Sequence, residues 1–419
     1  MSSRAIAEAA QGAAREIALA PTDAKNAALR AMARKLGERK QDVLQKNEED
    51  LARASAEGVP ENLVKRLQFG AAKVASRIRC LQKIAALPDP VGQAIVQSRR
   101  PNGLEVARVR VPLGVILCIY EARPHVTVNA GAFCLKSGNA AILRGGSEAR
   151  GCNALLGALW RESLREADLP EEAVQVVSVS HEDIDELLGM DDCIDLVIPR
   201  GGKGLIKTVA AKSRIPVIKH FEGICHVFLD ATADLEAGMS IALDSKCLMP
   251  EVCNAMETLL VHEAHAERLG EVVEAFRAHG VSVRGCAGVR AAVADVDEAT
   301  EEDWRTEYLD EIVSVRVVPD VAAAIEHINR YGSHHTDAIV TDSAQAAREF
   351  LEGVDSGVVL ENASTMFCDG ESLGMGAEIG ISTDKLHARG PMGLEDLTSY
   401  KFVIRGQGQT MGEFPKCST

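Results

Sequence analysis

The sequence lacks any long uncharged run, and it lacks an excess of positive charge. Its longest stretches without a charged residue are about a dozen residues, such as 124–135, whereas a membrane-spanning helix needs roughly 18 to 20 apolar residues. The 46 lysines and arginines are outnumbered by 61 aspartates and glutamates, so the net charge is −15. A charge of that sign repels nucleic-acid backbones and anionic membranes. We therefore expect neither a membrane protein nor a nucleic-acid-binding protein.

The eleven cysteines are scattered and never form a Cys-x-x-Cys pair. An odd number without such a pair favours neither a disulfide framework nor a zinc site, so we expect reduced thiols and no metal. The N-terminal stretch is rich in alanine, but Glu8, Glu16 and Asp23 interrupt it, so a helix is predicted there rather than a targeting peptide. These features favour a cytoplasmic protein.

Two periodic patterns predict the fold class. Residues 5–87 carry apolar side chains at helical spacing, which predicts a helical layer at the start of the chain. From residue 111 onward, β-branched runs alternate with helical patterns, as is typical of parallel sheets covered by helices on both faces. The alternation restarts near residue 222. The prediction is therefore an α/β protein with two parallel-sheet domains, in which ligands bind at the carboxyl ends of the strands.

The boundaries of the predicted strands follow from the same alternation. A hairpin turning at Asn102–Gly103 precedes them, and an apolar ribbon of this kind usually pairs with another chain. The predicted strands after it span residues 111–120, 140–144, 174–179, 194–198, 216–219, 226–229, 258–261, 312–318, 337–340 and 357–360.

Two glycine-containing turns follow predicted strands of the first sheet. Gly201, Gly202 and Lys203 lie between a strand and a helix, where free amides and a helix N-terminus favour a phosphate group. The alternative is a tight connection without a ligand. The segment Arg144–Glu148 ends a neighbouring strand, where a dinucleotide's adenosine ribose lies, and a cation there favours a 2′-phosphate. Arg144 thus favours NADP, unless it pairs with a surface carboxylate.

Cys253 lies in a loop that enters the second sheet and is a candidate nucleophile. The amides of Cys253 and Asn254 could stabilise an oxyanion, although most of the eleven cysteines are expected to be core residues. Compact cationic clusters at 333–336 and 385–391 favour anion recognition. A hydrogen-bonded loop or a subunit contact is the alternative for both clusters.

Several longer motifs carry a family resemblance. They include IYEARPHVTVNAGAFCLKSGNAAILRGGSEA, PRGGKGLI, HFEGICHVFLD, CNAMETLLVH, GSHHTDAIVTD and GAEIGISTDKLHARGPMGLEDLTSYK. Together they resemble the gamma-glutamyl phosphate reductases (glutamate-5-semialdehyde dehydrogenases), a branch of the aldehyde dehydrogenase superfamily. The resemblance extends from the N-terminal helices to about residue 405 and implies an aldehyde dehydrogenase-like fold with a β-ribbon oligomerisation arm.

The resemblance implies a specific activity. Members of this branch reduce L-glutamyl 5-phosphate to L-glutamate 5-semialdehyde with NADPH, releasing phosphate through a cysteine thioester, in the second step of proline biosynthesis from glutamate. The catalytic assignments are Cys253 and Asn254. The cofactor-binding assignments are Arg144, Gly145, Ser147, Glu148, Gly201, Gly202, Lys203 and Glu307, the last by its match to the glutamate that holds the nicotinamide ribose. The substrate-binding assignments are Arg123, His335, Lys385 and Arg389.

The resemblance also implies how the subunit is divided and what it binds. Residues 1–96 and 114–222 are assigned to a cofactor-binding domain, 223–392 to a catalytic domain, and 97–113 with 393–419 to the oligomerisation arm. A small-molecule substrate and a homo-oligomer, dimer or tetramer, are expected. A non-covalent complex with glutamate 5-kinase is a further hypothesis, because no kinase domain is present in the chain.

Three positions depart from related patterns. Phe221 takes the place of the general-base glutamate of hydrolytic aldehyde dehydrogenases, which favours a thioester that is not attacked by water. Ala122 takes the place of the superfamily's oxyanion asparagine. Met366 takes the place of an arginine that is usual in the branch, which removes a cation from a loop expected near the substrate.

Two alternative functions remain open. The first is a dehydrogenase that acts on a different acyl phosphate or semialdehyde by the same chemistry, which substrate profiling would separate. The second is a catalytically silent nucleotide-binding or scaffolding protein. Cys253 and the intact glycine turns argue against the second alternative, because a silent protein needs no nucleophile.

Overall fold

The computed structural model describes residues 2–219 and 221–411. Over this part the chain divides into two compact units. The first comprises residues up to 218 with 376–379 and those from 392 onward, and the second comprises 219–375 with 380–391. Among the described residues, no helix is both long and apolar enough to cross a membrane. The predicted arm segment 393–419 is described only as far as residue 411, so 412–419 lie outside the described residues.

The first unit opens with a layer of five helices, which confirms the prediction for residues 5–87. Leu29, Met32 and Leu36, spaced three and four residues apart, are all fully buried, as expected for one apolar helix face. The first helix begins where the Ser2 hydroxyl accepts a hydrogen bond from Ala5 N–H. The helices are α1 (Ser3–Ile17), α2 (Thr22–Glu38), α3 (Lys40–Ala56), α4 (Glu61–Leu67) and α5 (Ala71–Ala86).

A three-stranded antiparallel sheet follows in the same unit. Strands β1 (Ala94–Arg99) and β2 (Glu105–Pro112) form the predicted hairpin. Its turn contains Gly103 with φ of +84°, a backbone conformation that favours glycine. The final strand of the described chain, β16 (Thr398–Arg405), pairs with β2 along its whole length. The two segments assigned to the arm therefore belong to one sheet.

The central sheet of the first unit has four parallel strands in the order β5-β4-β3-β6. One of its two inner strands, β3, is buried on both faces, as its continuous apolar run predicted. The strands are β3 (Val115–Tyr120), β4 (Ala140–Gly145), β5 (Val174–Val177) and β6 (Leu196–Arg200), and the helices are α6 (Pro124–Lys136), α7 (Arg150–Glu166), α8 (His181–Leu188) and α9 (Lys203–Lys212).

Two predicted strands of this unit are wrong in extent. The prediction of one strand over 111–120 fails because Gly114, with φ of +130°, separates β2 from β3. The predicted strand over 216–219 is reduced to a single bridge between Val197 and Val217, because Pro216 has no N–H to extend the ladder. Helix α8, capped by the Ser180 and Asp183 side chains, was not predicted.

The second unit is built on a seven-stranded parallel sheet in the order β10-β9-β11-β8-β7-β12-β13. A short pair, β14 (Gly380–Ser382) and β15 (Gly390–Met392), lies outside that sheet. The strands of the main sheet are β7 (Cys225–Leu229), β8 (Met256–His262), β9 (Ser282–Gly285), β10 (Asp297–Glu298), β11 (Ile312–Val318), β12 (Thr336–Val340) and β13 (Val358–Glu361). The helices are α10 (Leu235–Cys247), α11 (Leu269–Ala278), α12 (Ala287–Ala292), α13 (Val321–Tyr331) and α14 (Ala344–Gly353).

The packing of α6 generates a stability prediction. A Cβ atom at Gly131 would lie 2.8 Å from the buried Trp160 ring, so Gly131→Ala should lower the free energy of unfolding by about 1–3 kcal/mol through overpacking. Gly12→Ala is the matched control, because Gly12 is an exposed helix residue with no atom within 4 Å of its added Cβ. That control should raise stability by about 0.5–1 kcal/mol. Urea unfolding measures both, and equal effects would contradict the packing argument.

Candidate active site

Three predicted site residues of the second unit lie before the amino ends of strands in its main sheet. Cys253 precedes β8, Glu307 precedes β11, and His335 directly precedes β12. β11, β8, β7 and β12 are neighbours in one parallel sheet. The loops that precede them therefore lie at the same end of that sheet. The expectation that the chemistry lies at the carboxyl ends of the strands is therefore wrong for this unit, since the residues belong to loops that enter the strands.

The backbone of Cys253 is held by the loop that leads into β7. A Cβ atom at Gly223 would overlap the carbonyl oxygen of Cys253 and lie 2.8 Å from its Cα, so only glycine fits this approach. The thiol of Cys225 donates a hydrogen bond of 3.3 Å to the same carbonyl oxygen. Burial raises the pKa of the Cys225 thiol well above its ordinary value, so Cys225 is a neutral donor. These two contacts fix the peptide of the predicted nucleophile.

Glu307 is connected to the nucleophile through Gly223. Its Oε1 accepts a hydrogen bond of 2.7 Å from Gly223 N–H. The carboxylate assigned to the cofactor therefore holds the backbone that packs against Cys253. The sequence did not predict this contact, because Glu307 and Gly223 are separated by 84 residues in the chain.

A buried ion pair supports both segments. Lys246 Nζ lies 2.6 Å from Glu257 Oε2, and both side chains are fully buried. The other oxygen of Glu257 accepts a hydrogen bond of 3.1 Å from Leu309 N–H. Burial raises the pKa of Glu257 to about 7, although Lys246 opposes the shift. The pair thus connects β8, which follows Cys253, to the loop that carries Glu307.

Asn254 was predicted to act through its backbone amide. Its side chain also has a structural role. Its side-chain Nδ2 is within hydrogen-bonding distance, 3.3 to 3.4 Å, of the carbonyl oxygens of Thr365, Met366 and Cys368. The side chain is nearly buried, with 8% of the residue exposed. The residue after the predicted nucleophile therefore fixes the turn that contains Met366.

Two of the predicted substrate cations are paired with a carboxylate. Lys385 Nζ and Arg389 Nη1 each lie 2.7 Å from Asp355, and these two contacts lower the pKa of Asp355 to about 2. His335 is buried, with Nδ1 2.8 Å from Thr336 Oγ1 and 3.7 Å from Cys225 Sγ. His335 thus lies beside Cys225, whose thiol bonds the Cys253 carbonyl oxygen, whereas Lys385 and Arg389 form a cluster around Asp355.

The predicted cofactor residues of the first unit lie at the carboxyl ends of strands, as expected. Arg144 and Gly145 end β4, Ser147 and Glu148 follow them, and Gly201, Gly202 and Lys203 connect β6 to α9. These positions agree with the general rule for parallel sheets.

Two backbone N–H groups near these turns donate hydrogen bonds to carboxylates. Glu121 Oε2 accepts a hydrogen bond of 2.7 Å from Gly202 N–H, and Glu148 accepts one from Ala122 N–H. No side chain caps the N-terminus of α9, so the amides of its first turn suit a phosphate group. Arg144 is half-buried, and burial lowers its pKa. The first turn of α9 and the Arg144 guanidinium therefore suit anionic phosphate groups, while Gly202 N–H is already bonded to Glu121.

Sequence reasoning missed four residues that shape the second unit. They are Cys225, Lys246, Glu257 and Asp355. A signal existed for one of them, because Glu257 is a carboxylate inside an otherwise largely apolar strand, and buried charges are usually paired. Lys246, Cys225 and Asp355 had no such signal.

Comparisons with known proteins agree with this architecture. A family model described as the aldehyde dehydrogenase family matches residues 1–285. The gamma-glutamyl phosphate reductases of Brucella anthropi and Brucella suis biovar 1 are each 47% identical to the chain over 410 residues. The aligned region covers 97% of this chain in both comparisons, with 96% of the first relative and 97% of the second.

Solved structures also match this chain. The gamma-glutamyl phosphate reductase of Thermotoga maritima matches with a TM-score of 0.95 at 42% identity, covering 98% of this chain and 100% of that one. An acetylating aldehyde dehydrogenase from Geobacillus thermoglucosidasius has a TM-score of 0.68 at 16% identity, covering 99% of this chain and 97% of its own. The second likeness concerns the fold alone. The predicted fold class is confirmed.

The buried ion pair generates a second prediction. Lys246→Met leaves the buried Glu257 carboxylate without its counter-charge, so the free energy of unfolding at neutral pH should fall by about 3–5 kcal/mol. Adding Glu257→Gln removes that charge and should recover part of the loss. Lys207→Met, at an exposed helix position, is the control and should change stability by less than about 0.5 kcal/mol. Strictly additive effects of the two substitutions in urea unfolding would contradict the coupling.

Proposed function

This chain belongs to the aldehyde dehydrogenase family, and on that premise we propose that it reduces L-glutamyl 5-phosphate to L-glutamate 5-semialdehyde with release of phosphate. The observation that carries the proposal is the 47% identity to gamma-glutamyl phosphate reductases over 97% of the chain. This reaction is the second step of proline biosynthesis from glutamate.

Cys253 is the proposed nucleophile. Its thiolate attacks the acyl carbon of the substrate, the bond from that carbon to the phosphate oxygen breaks, and inorganic phosphate leaves. A bound reduced nicotinamide supplies the hydride that reduces the resulting thioester. The thiohemiacetal that remains on Cys253 then collapses to free aldehyde and thiolate. The contacts of Gly223 and Cys225 with the Cys253 carbonyl support a fixed orientation for this residue.

Protection of the thioester from water is part of the proposal. Phe221 has no group that can activate water, whereas a hydrolytic enzyme needs a general base at this stage. The thioester can therefore persist until hydride arrives, or until phosphate attacks it in the reverse direction. The oxyanion that forms at each attack is assigned to the backbone amides of Cys253 and Asn254.

The family implies a nicotinamide cofactor, and we assign NADPH to it. The half-buried Arg144 at the end of β4 is the cation proposed for the ribose 2′-phosphate. Gly145, Ser147, Glu148, Gly201, Gly202 and Lys203 are assigned to the adenosine and phosphate groups, and Glu307 to the nicotinamide ribose. Arg123, His335, Lys385 and Arg389 remain the proposed substrate-binding residues, with the pairing of the last two to Asp355 as a constraint on their role.

The arm sheet is proposed to join subunits. Tyr400, Phe402 and Ile404 of β16 are exposed large side chains, with 45%, 61% and 60% of their surfaces accessible. Exposed apolar side chains on a long edge strand favour pairing with another subunit. We propose a homo-oligomer, dimer or tetramer, acting in the cytoplasm, and a non-covalent complex with glutamate 5-kinase.

The central experiment measures NADPH formation from glutamate 5-semialdehyde, NADP and phosphate. The unaltered protein should show activity that requires phosphate or arsenate, and Cys253→Ala should lower kcat by at least about 10³-fold because the nucleophile is lost. Cys247→Ala is the control, since Cys247 is another partly exposed cysteine of the same unit.

Each contrary outcome has a distinct meaning. Equal rates with and without phosphate would reject the acyl phosphate chemistry, and activity that survives Cys253→Ala would reject the nucleophile. An inactive parent protein would favour a different acyl phosphate substrate or a silent nucleotide-binding protein.

The cofactor assignment has its own test. Arg144→Met should raise KM for NADP about tenfold or more, because a charge-assisted contact to the 2′-phosphate is lost, and should leave KM for NAD nearly unchanged. The ratio of kcat/KM for the two cofactors, measured before and after the substitution, is the readout. A ratio that does not move would assign the 2′-phosphate to another cation.

A further inference from the structure

A cationic cluster lies in the first unit at the end of β3, outside the predicted cofactor residues. Arg123 is the N-cap residue of α6, and His125 lies in the first turn of that helix. Arg200 ends β6, directly opposite Tyr120 of β3 in the sheet register. Helix α5 packs against α6 and carries Lys73 and Arg77 four residues apart, hence on one helix face. We call these five residues the basic cluster.

The members of the basic cluster act on one another electrostatically. Burial, together with the charges of Arg77, Arg123, Lys73 and Arg200, lowers the pKa of His125 to about 3. His125 is therefore neutral at physiological pH and can donate a hydrogen bond without adding a charge. The four cations are close enough to disfavour protonation of His125. They come from α5, the start of α6 and the end of β6.

Buried polar atoms without hydrogen-bond partners occur in the same place. Among the described residues, His125 Nδ1, Arg200 Nε and Asn129 Oδ1 are enclosed and have no hydrogen-bond partner. Asn129 lies one helical turn beyond His125 on α6. Leaving such groups unsatisfied is costly, and native structures contain few of them. Of these atoms, His125 Nδ1 and Arg200 Nε are nitrogens that can donate to an oxyanion, whereas Asn129 Oδ1 can only accept. The two unsatisfied nitrogens beside the four cations favour an anionic ligand.

The hydrogen bonds of the two α5 cations are not made to carboxylates. Lys73 donates to the carbonyl oxygen of Gln68, and Arg77 donates to the Ser76 hydroxyl, so neither of these bonds is to a carboxylate. The adjacent carboxylate, Glu121, accepts its hydrogen bond from Gly202 N–H. The cations of the second unit differ, because Lys385 and Arg389 both share Asp355. In a chain of net charge −15, concentrated positive charge of this kind favours anion binding.

We propose that Lys73, Arg77, Arg123, His125 and Arg200 bind an oxyanionic group of the acyl phosphate substrate, either its α-carboxylate or its phosphoryl group. The inference rests on the proposed function for the identity of the substrate. Four of the five residues lie on α5 or at the start of α6, which carry none of the residues assigned to the dinucleotide, and we therefore assign the site to substrate. Arg200 directly precedes the turn assigned to the cofactor, so the test includes KM for NADP. Arginine guanidinium groups suit both oxyanions, and neutral His125 adds an uncharged donor.

Two substitutions test the site against a matched control. Arg77→Gln and Arg200→Gln each remove one cation of the cluster, and Arg79→Gln removes an exposed cation from α5, two residues from Arg77. In the phosphate-dependent oxidation of glutamate 5-semialdehyde, the first two variants should raise KM for semialdehyde or for phosphate about tenfold or more. Arg79→Gln should leave both within about twofold. A raised semialdehyde KM assigns the carboxylate, and a raised phosphate KM assigns the phosphoryl group.

A direct binding measurement separates this site from the function on which it rests. Calorimetric titration with inorganic phosphate, and separately with L-glutamate, should show weaker binding of at least one of them to Arg77→Gln and Arg200→Gln than to the parent and Arg79→Gln proteins. Arg77→Lys and Arg200→Lys, which keep the charge, should restore much of the affinity. This rescue distinguishes a binding role from a folding defect.

The contradicting outcomes are equally specific. Unchanged KM values for semialdehyde and phosphate in both variants, with unchanged binding of both probes, would overturn the site. A rise in KM for NADP alone would also overturn it, because the cations would then belong to the cofactor. If the parent protein has no activity, the proposed function fails, and the calorimetric comparison alone decides whether the basic cluster binds an oxyanion.

Discussion

The close approach of Gly223 to the peptide of Cys253 is the constraint on which the second unit's site depends. No Cβ atom fits between the two backbones. The loop before β7 therefore packs directly against the loop before β8. Glu307 holds Gly223 from one side, and the Cys225 thiol bonds the Cys253 carbonyl. Cys253, the proposed nucleophile, is held through its own peptide and has little freedom to reorient, which favours attack from one geometry.

The buried pair of Lys246 and Glu257 extends this constraint into the core. An isolated charge at either position would be strongly unfavourable, and removing one partner is far costlier than the pair is stabilising. Glu257 also accepts from Leu309 N–H, two residues beyond Glu307. β8, which follows the proposed nucleophile, is thus joined to the loop that carries Glu307. The connection runs through the Lys246–Glu257 pair and the Leu309 hydrogen bond, and it tolerates little change.

The two units distribute their positive charge differently. In the second unit, Asp355 pairs with Lys385 and Arg389, so these side chains are held in place with much of their charge offset. In the first unit, the basic cluster surrounds a neutral histidine and enclosed atoms without partners. Partnered cations favour a rigid local structure, whereas Lys73 and Arg77, whose hydrogen bonds go to a carbonyl and a hydroxyl oxygen, retain more of their attraction for an anionic ligand. Proximity in sequence, which suggested 385–391 as an anion site, did not distinguish the two cases.

The sequence by itself determined the elements and the chemistry that depend on local pattern. Apolar periodicity predicted the helical layer and the parallel sheets, the motif around Cys253 identified the proposed nucleophile, and the glycine turns at 145 and 201 were placed correctly at strand ends. The tertiary structure alone decided which residues surround Cys253, which cations are neutralised, and that Lys73, Arg77, His125 and Arg200 meet. The physical reason is that these contacts join segments tens of residues apart or more, so they depend on strand order and helix packing, which local periodicity does not encode.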